Sequence, residues 1–188
     1  MAQEYKISDF KSRLAGGGAR ANQFMVTMNW PGVIPAIPAT ATVDGAFLIS
    51  ATNLPGMTIG EVAVPYRGRN LYIAGDRTFE AWTITCLNDI DFTLRNAFEK
   101  WMDHINAMTD GKGASDPDTY QVNASVVQLD KQGLVVKTYN FKGMWPTTIS
   151  NIDVSAETND AIETFDVTLR YDYFEAAKGD TGTDIITT

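Results

Sequence analysis

A chain of 188 residues, 44% of them hydrophobic, is long enough to bury one real core and reads as a single domain. Its formal net charge of −8 argues against a protein that clamps nucleic acid, because clamping neutralises phosphates with Lys and Arg, but it is compatible with a surface past which nucleic acid slides. The single cysteine, Cys86, has no internal disulfide partner, no window approaches the length of a membrane span, and the charged start (Glu4, Lys6, Asp9, Lys11, Arg13) shows no secretory signal, so a soluble protein is expected, with no membrane insertion.

Residues 1 to 22 are mixed in character. They carry a short helix expected around Ile7 to Leu14 and a joint at Gly16-Gly17-Gly18, and about the first 20 residues are expected to form a mobile arm. Gln23 to Trp30 alternates as a first strand, and Pro31 to Pro38, with three prolines, reads as a loop or an extended edge. Gly45 to Ala51 and Met57 to Val64 read as the next strands, joined through Asn53-Leu54-Pro55-Gly56. Pro65 to Asn70 reads as a basic loop, and Ala74 to Thr78 as a polar turn whose glycine supplies a positive φ. Phe79 to Leu87 is a strand with Trp82, Ile84 and Cys86 on one face and Ala81, Thr83 and Thr85 on the other.

From Asp91 the period changes. Leu94, Phe98, Trp101, Met102 and Ile105 recur at three- and four-residue steps, which predicts a helix over about 91–107 with Asp89 and Asp91 at its N-terminal end. Thr109 to Thr119 reads as a loop. Tyr120 to Leu129 and Leu134 to Lys142 form a hairpin around Asp130-Lys131-Gln132-Gly133. Gly143 to Pro146 is expected to break the run, and a short strand follows near Thr148 to Val154. Ile162 to Phe174 is the longest predicted strand, with Phe165, Val167, Leu169, Tyr171 and Tyr173 opposite the polar Thr164, Asp166, Thr168, Arg170 and Asp172. Residues 176–188 read as a loose tail. The sum is a mainly β protein, an antiparallel sandwich or barrel-like fold of about seven or eight strands with one packed helix.

Enzyme chemistry is not visible in this pattern. His104 is the only histidine; it falls at a surface position of the helix and has no Ser or Cys nucleophile paired with it by motif. One His and one Cys cannot supply the usual zinc set, and Asp110, Asp116 and Asp118 lack the glycine and bidentate Glu of a calcium loop. Carboxylate pairs such as Glu163 and Asp166 arise by chance among 23 acidic residues, and Gly16-Gly17-Gly18 is no phosphate loop. No catalytic, cofactor or metal residue is assigned. Trp30, Trp145 and Tyr66 near loops suit core or interface packing better than a sugar-binding surface.

Ala74-Gly75-Asp76-Arg77-Thr78-Phe79, followed by Trp82, resembles a segment of the tail tube protein family of contractile-tailed bacteriophages. Further segments agree in order: Arg20 to Phe24, Ala51 to Gly56, Leu87-Asn88-Asp89 with a Phe98-to-Trp101 step, Lys142 to Thr147, and Glu163 to Leu169 with Tyr173. Pro31 to Asp44 looks longer than the family's equivalent, and both ends carry extra residues. The resemblance implies a structural, non-enzymatic subunit of hexameric rings stacked into a hollow tube. It also implies the partners: further copies of itself, a tail sheath, baseplate and tape-measure proteins, and DNA passing through the lumen without specific binding. Such a subunit is assembled in the bacterial host cytoplasm and ends in the virion. Alternatives are the tube of a genome-free contractile injection system, a baseplate protein of the same fold, or, from another class, a ligand-binding β-sandwich.

Two surfaces follow as expectations. Tyr66, Arg67, Arg69, Asp76 and Arg77 offer both signs of charge for contacts between subunits. The polar face of the last strand, Thr164, Asp166 and Thr168, suits either the wall of a lumen or open solvent.

Overall fold

The computed structural model describes residues 6–14, 17–34, 37–38, 40–157 and 160–178. In chain order the elements are α1 (Ile7–Arg13), β1 (Phe24–Met28), α2 (Ala41–Leu48), β2 (Ile49–Thr52), β3 (Met57–Tyr66), β4 (Arg69–Phe79), β5 (Trp82–Leu87), α3 (Thr93–Ile105), β6 (Val122–Leu129), β7 (Val135–Ile149), β8 (Thr164–Arg170) and β9 (Tyr173–Lys178). All strand pairs among them are antiparallel.

Strand β7 organises the body. Its first half pairs with β6 and β9 and its second half with β8, so it passes from a sheet ordered β1-β6-β7-β9 into one ordered β7-β8-β5-β2. The passage occurs at Gly143, which has φ +64° and sits so close to the Asp172 carboxylate that a side chain would collide with it. Gly143 to Pro146 therefore bends the strand rather than breaking it, and the expected separate strand near Thr148 is the end of β7.

Between the sheets lies the core. Trp82, Ile84 and Cys86 alternate inward from β5 and Phe165, Val167 and Leu169 from β8, all fully or nearly fully buried. Trp82 stacks on Phe141 with ring centroids 4.5 Å apart. Helix α3 adds Leu94, Ala97, Phe98 and Trp101, the expected stripe, and Trp30 packs edge-on against Phe98 at 4.9 Å. The helix is two residues shorter at each end than the pattern suggests. The Asp89 carboxylate starts it, accepting from the Thr93 N–H at 2.8 Å and the Thr93 hydroxyl at 2.7 Å.

Other departures have local causes. The expected strand from Gly45 is helical to Leu48, because Ala41 and Gly45, one turn apart and both buried, let α2 lie against β1 and α3. The predicted strand Ile162 to Phe174 is two strands. Asp172 donates its N–H to the Lys142 carbonyl, the inward face changes phase there, and β9 runs on to Lys178 with Ala176 and Ala177 buried. That carries the sheet into the first residues expected to form a tail; residues 179–188, like residues 1–5 of the arm and Gly16 of its joint, lie outside the described residues. His104, expected at a solvated position, is half-buried with its Nε2 sequestered.

Candidate assembly surface

Among the described residues, strands β3 and β4 pair only with each other and stand apart from the body as a two-stranded ribbon. Ten residues at about 3.3 Å each make β3 about 33 Å long. All of its residues are exposed, and β4 is covered only in part, at Gly75 and at its base. The turn is Arg67-Gly68, with φ of +47° and +79°, the two positive values that a two-residue hairpin turn of matching twist requires. At the other end Phe79 anchors the ribbon, packing on Tyr171 and Phe174. The segment Ala74 to Thr78 is thus strand, not turn. Gly75 lies against Gly60 at the register shift after Ile59, where a Cβ would come within 3.2 Å of the Gly60 backbone, so its smallness serves close approach.

Register sorts the ribbon's two faces, since residues opposite each other in an antiparallel pair point the same way. In the outer half, Val62 lies opposite Ile73, Val64 opposite Leu71 and Tyr66 opposite Arg69. The first four form a contiguous apolar stripe, 52%, 52%, 40% and 60% exposed in that order. Glu61, Ala63, Pro65, Asn70 and Tyr72 share the other face. A two-stranded hairpin is marginal on its own, and this one leaves its apolar face open and both strand edges unpaired.

Of the residues expected at an interface, Tyr66, Arg67 and Arg69 meet at the ribbon tip, where the Arg67 guanidinium lies 5.4 Å from the centre of the Tyr66 ring. Asp76 and Arg77 do not join them. They lie seven residues down β4, about 23 Å away, beyond the bulge, with Arg77 opposite Ile59. The apolar stripe itself escaped the sequence reading. Its signal was there, in the mirrored alternation of Val62, Val64, Leu71 and Ile73 about Arg67-Gly68.

The second expected surface is brought together as a polar sheet face. Thr164, Asp166 and Thr168 lie opposite Leu87, Thr85 and Thr83 in register, with Thr148 of β7 next to Thr168. Thr85 Oγ1 donates to Asp166 Oδ1 at 2.6 Å, and the Asp166 N–H donates to Ser150 Oγ at 2.9 Å. Beneath this face, burial and the nearby Asp166 carboxylate push the Cys86 thiol up to about 12 from its ordinary value of 9.0. The remaining candidates are taken up structurally. Glu163 accepts from Asn88 Nδ2, Asp116 from the Asp118 N–H, and Asp110 from the Lys112 N–H. Among the described residues no group of three or more His, Cys, Asp or Glu is placed to hold a metal ion.

The family model described as phage tail tube protein matches residues 19–177. The tail tube protein of Serratia phage KSP90 is 31% identical over 167 residues, covering 88% of this chain and 93% of that protein. Tail tube protein gp19 of Enterobacteria phage T4 is 32% identical over 166 residues, covering 86% and 93%. Among solved structures, a chain of the extended-state sheath–tube complex of an extracellular contractile injection system, PVC, has a TM-score of 0.62 at 12% identity, covering 93% of this chain and 99% of that one. A chain of the anti-feeding prophage baseplate has a TM-score of 0.61 at 15% identity, covering 86% and 97%.

Proposed function

The chain belongs to the phage tail tube protein family, and on that premise we propose that its copies close into hexameric rings, stacked as a hollow tube inside a contractile sheath and conducting the genome. The observation that carries this reading is the projecting ribbon β3–β4, whose apolar stripe and unpaired edges gain a cover only when another copy lies against them. Tyr66, Arg67 and Arg69 then sit at the contact with a neighbour, while Asp76 and Arg77 serve the ribbon's base. The face of Thr164, Asp166 and Thr168 lines the lumen, where hydroxyls and a carboxylate let phosphates pass without binding. The role is structural and no reaction is assigned. Sheath, baseplate and tape-measure proteins are the expected neighbours, with assembly in the host cytoplasm before the tube becomes part of the virion. A genome-conducting phage tube is favoured over a genome-free device because the relatives of 31% and 32% identity are phage proteins, whereas the injection-system chains share only fold at 12% and 15%.

The test is negative-stain electron microscopy of the purified chain at rising concentration, alone and with baseplates. Hollow rings or tubes support the reading. Particles that stay monomeric on baseplates overturn it in favour of a ligand-binding sandwich.

A further inference from the structure

We propose that helix α1 of one subunit seats in the groove between α3 and β7 of a second copy of this chain. The inference rests on the tube reading, which brings copies side by side, and it names a contact distinct from the ribbon.

The donor is a helix without a floor. Ile7, Phe10 and Leu14 fall at steps of three and four residues on one side of α1 and its end, and they are 75%, 64% and 46% exposed; no residue of α1 is buried. Seven residues form only a marginal helix in water, so an apolar seat is what would hold it. The acceptor is a groove of about 460 Å³ floored by Met102, Ile105, Met108, Trp145, Pro146 and Ile149. Side chains of this kind take up an amphipathic helix through anchors spaced as those of α1 are. Charge matches as well. Lys11 and Arg13 flank the apolar side of α1, and Glu99 and Asp103 rim the groove, Glu99 shared with Arg95 at 2.7 Å.

In this structure the helix does not sit in its own subunit's groove: no residue of α1 is buried and none lines it. Gln128 Nε2 donates to the carbonyls of Arg20 and Gln23, both at 2.7 Å, which ties the connecting segment to β6. Gln128 lies opposite Lys137 of β7, whereas the groove takes in Trp145 to Ile149 of that strand, beyond the bend at Gly143. A neighbouring copy in a ring can bring its groove to the uncovered helix. Each subunit gives one helix and receives one, a head-to-tail contact that rotation can close into a ring.

The experiment uses the full chain carrying Phe10→Cys and Met108→Cys, both positions exposed and so neutral to folding, with the native Cys86 buried out of reach. Tubes are first confirmed by electron microscopy, then oxidised and run on a denaturing gel without reductant. A ladder of covalent multimers holding most of the chain is expected. Tubes that yield only monomer overturn the docking and leave the tube reading standing. A cross-link found by mass spectrometry within one chain overturns the choice of a second copy. Where the double variant fails to assemble, a mixture of the two single variants reads the same contact as a dimer band. Failure of the unaltered chain to form tubes with baseplates removes the tube reading and the docking together.

Discussion

Thr85 and Asp166, 81 residues apart in the chain, meet across adjacent strands, with the threonine hydroxyl donating to the carboxylate at 2.6 Å. The bond fixes the direction of a carboxylate on a sheet face otherwise lined by threonine hydroxyls and Leu87. Because the pair is exposed, Asp166→Ala is expected to cost only about 0.5–1 kcal/mol of stability, measured by denaturant titration. Asp166→Lys changes function instead. With this face on the lumen wall, as proposed, a ring of lysines attracts phosphates, and genome ejection from assembled phage is expected to slow. Ejection at the unaltered rate takes Asp166 off the lumen.

Trp82 carries a different kind of load. It is fully buried, stacks on Phe141, and its indole N–H donates to Thr52 Oγ1 at 2.8 Å and the Asn53 carbonyl at 3.0 Å. Trp82→Phe keeps most of the apolar contact and strands those acceptors, at an expected cost of about 1–3 kcal/mol. Trp82→Ala opens a cavity as well and is expected to cost about 3–5 kcal/mol. Urea midpoints of the two variants separate the polar share from the packing share; a Trp82→Phe midpoint equal to that of the unaltered chain would remove the hydrogen bonds from the account.

The alternation of Trp82, Ile84 and Cys86 was legible because one buried face repeats every second residue, and the α3 stripe because its period differs so plainly. Asp89 was legible as a helix start by chemistry alone. Features set by distant partners were not. Gly45 reads as a strand glycine until α3 is known to lie above it, Gly75 as a turn until Gly60 is opposite, and Gly143 as a break until Asp172 is seen to need its space. The candidate site divides the same way. Tyr66, Arg67 and Arg69 announced a basic loop, but the alternating apolar residues of β3 and β4 look identical whether the surface that covers them belongs to the same chain or to another one. Periodicity reports that a face is to be covered, and cannot say by what.

Cys86 gives the chain an alkaline limit. Its folded thiol is raised from 9.0 to about 12, chiefly by burial and secondarily by Asp166. Below pH 9 the thiol is protonated in both folded and unfolded chains, so its contribution is fully present. Between 9 and 12 only the unfolded chain loses the proton, and stability falls with rising pH by up to about 1.4 kcal/mol per pH unit. Tyr171, also raised chiefly by burial, adds in the same direction. Unfolding free energies at pH 8 and 10.5 test this, and Cys86→Ala is expected to flatten the slope. The same burial predicts that a thiol reagent at pH 8 labels Cys86 only as fast as the chain unfolds.

The ribbon offers the sharpest separation of assembly from folding. Leu71 lies opposite Val64 on the outer half of β3–β4, 60% exposed and remote from the core. Leu71→Asp therefore leaves the isolated subunit within about 0.5 kcal/mol of its original stability. In the proposed tube contact the same position is covered by a neighbour. There the substitution forfeits about 1 kcal/mol of apolar burial and forces a carboxylate out of water. Both effects recur at every contact, so the concentration at which tubes grow is expected to rise by about tenfold or more. Sedimentation of tubes grown on baseplates reads that threshold, and circular dichroism of the free subunit checks the fold. Asn70→Asp, one residue earlier and on the opposite face, places the same charge away from the stripe and is expected to leave the threshold within about twofold. If both variants raise it equally, charge on the ribbon rather than cover of its apolar face governs assembly.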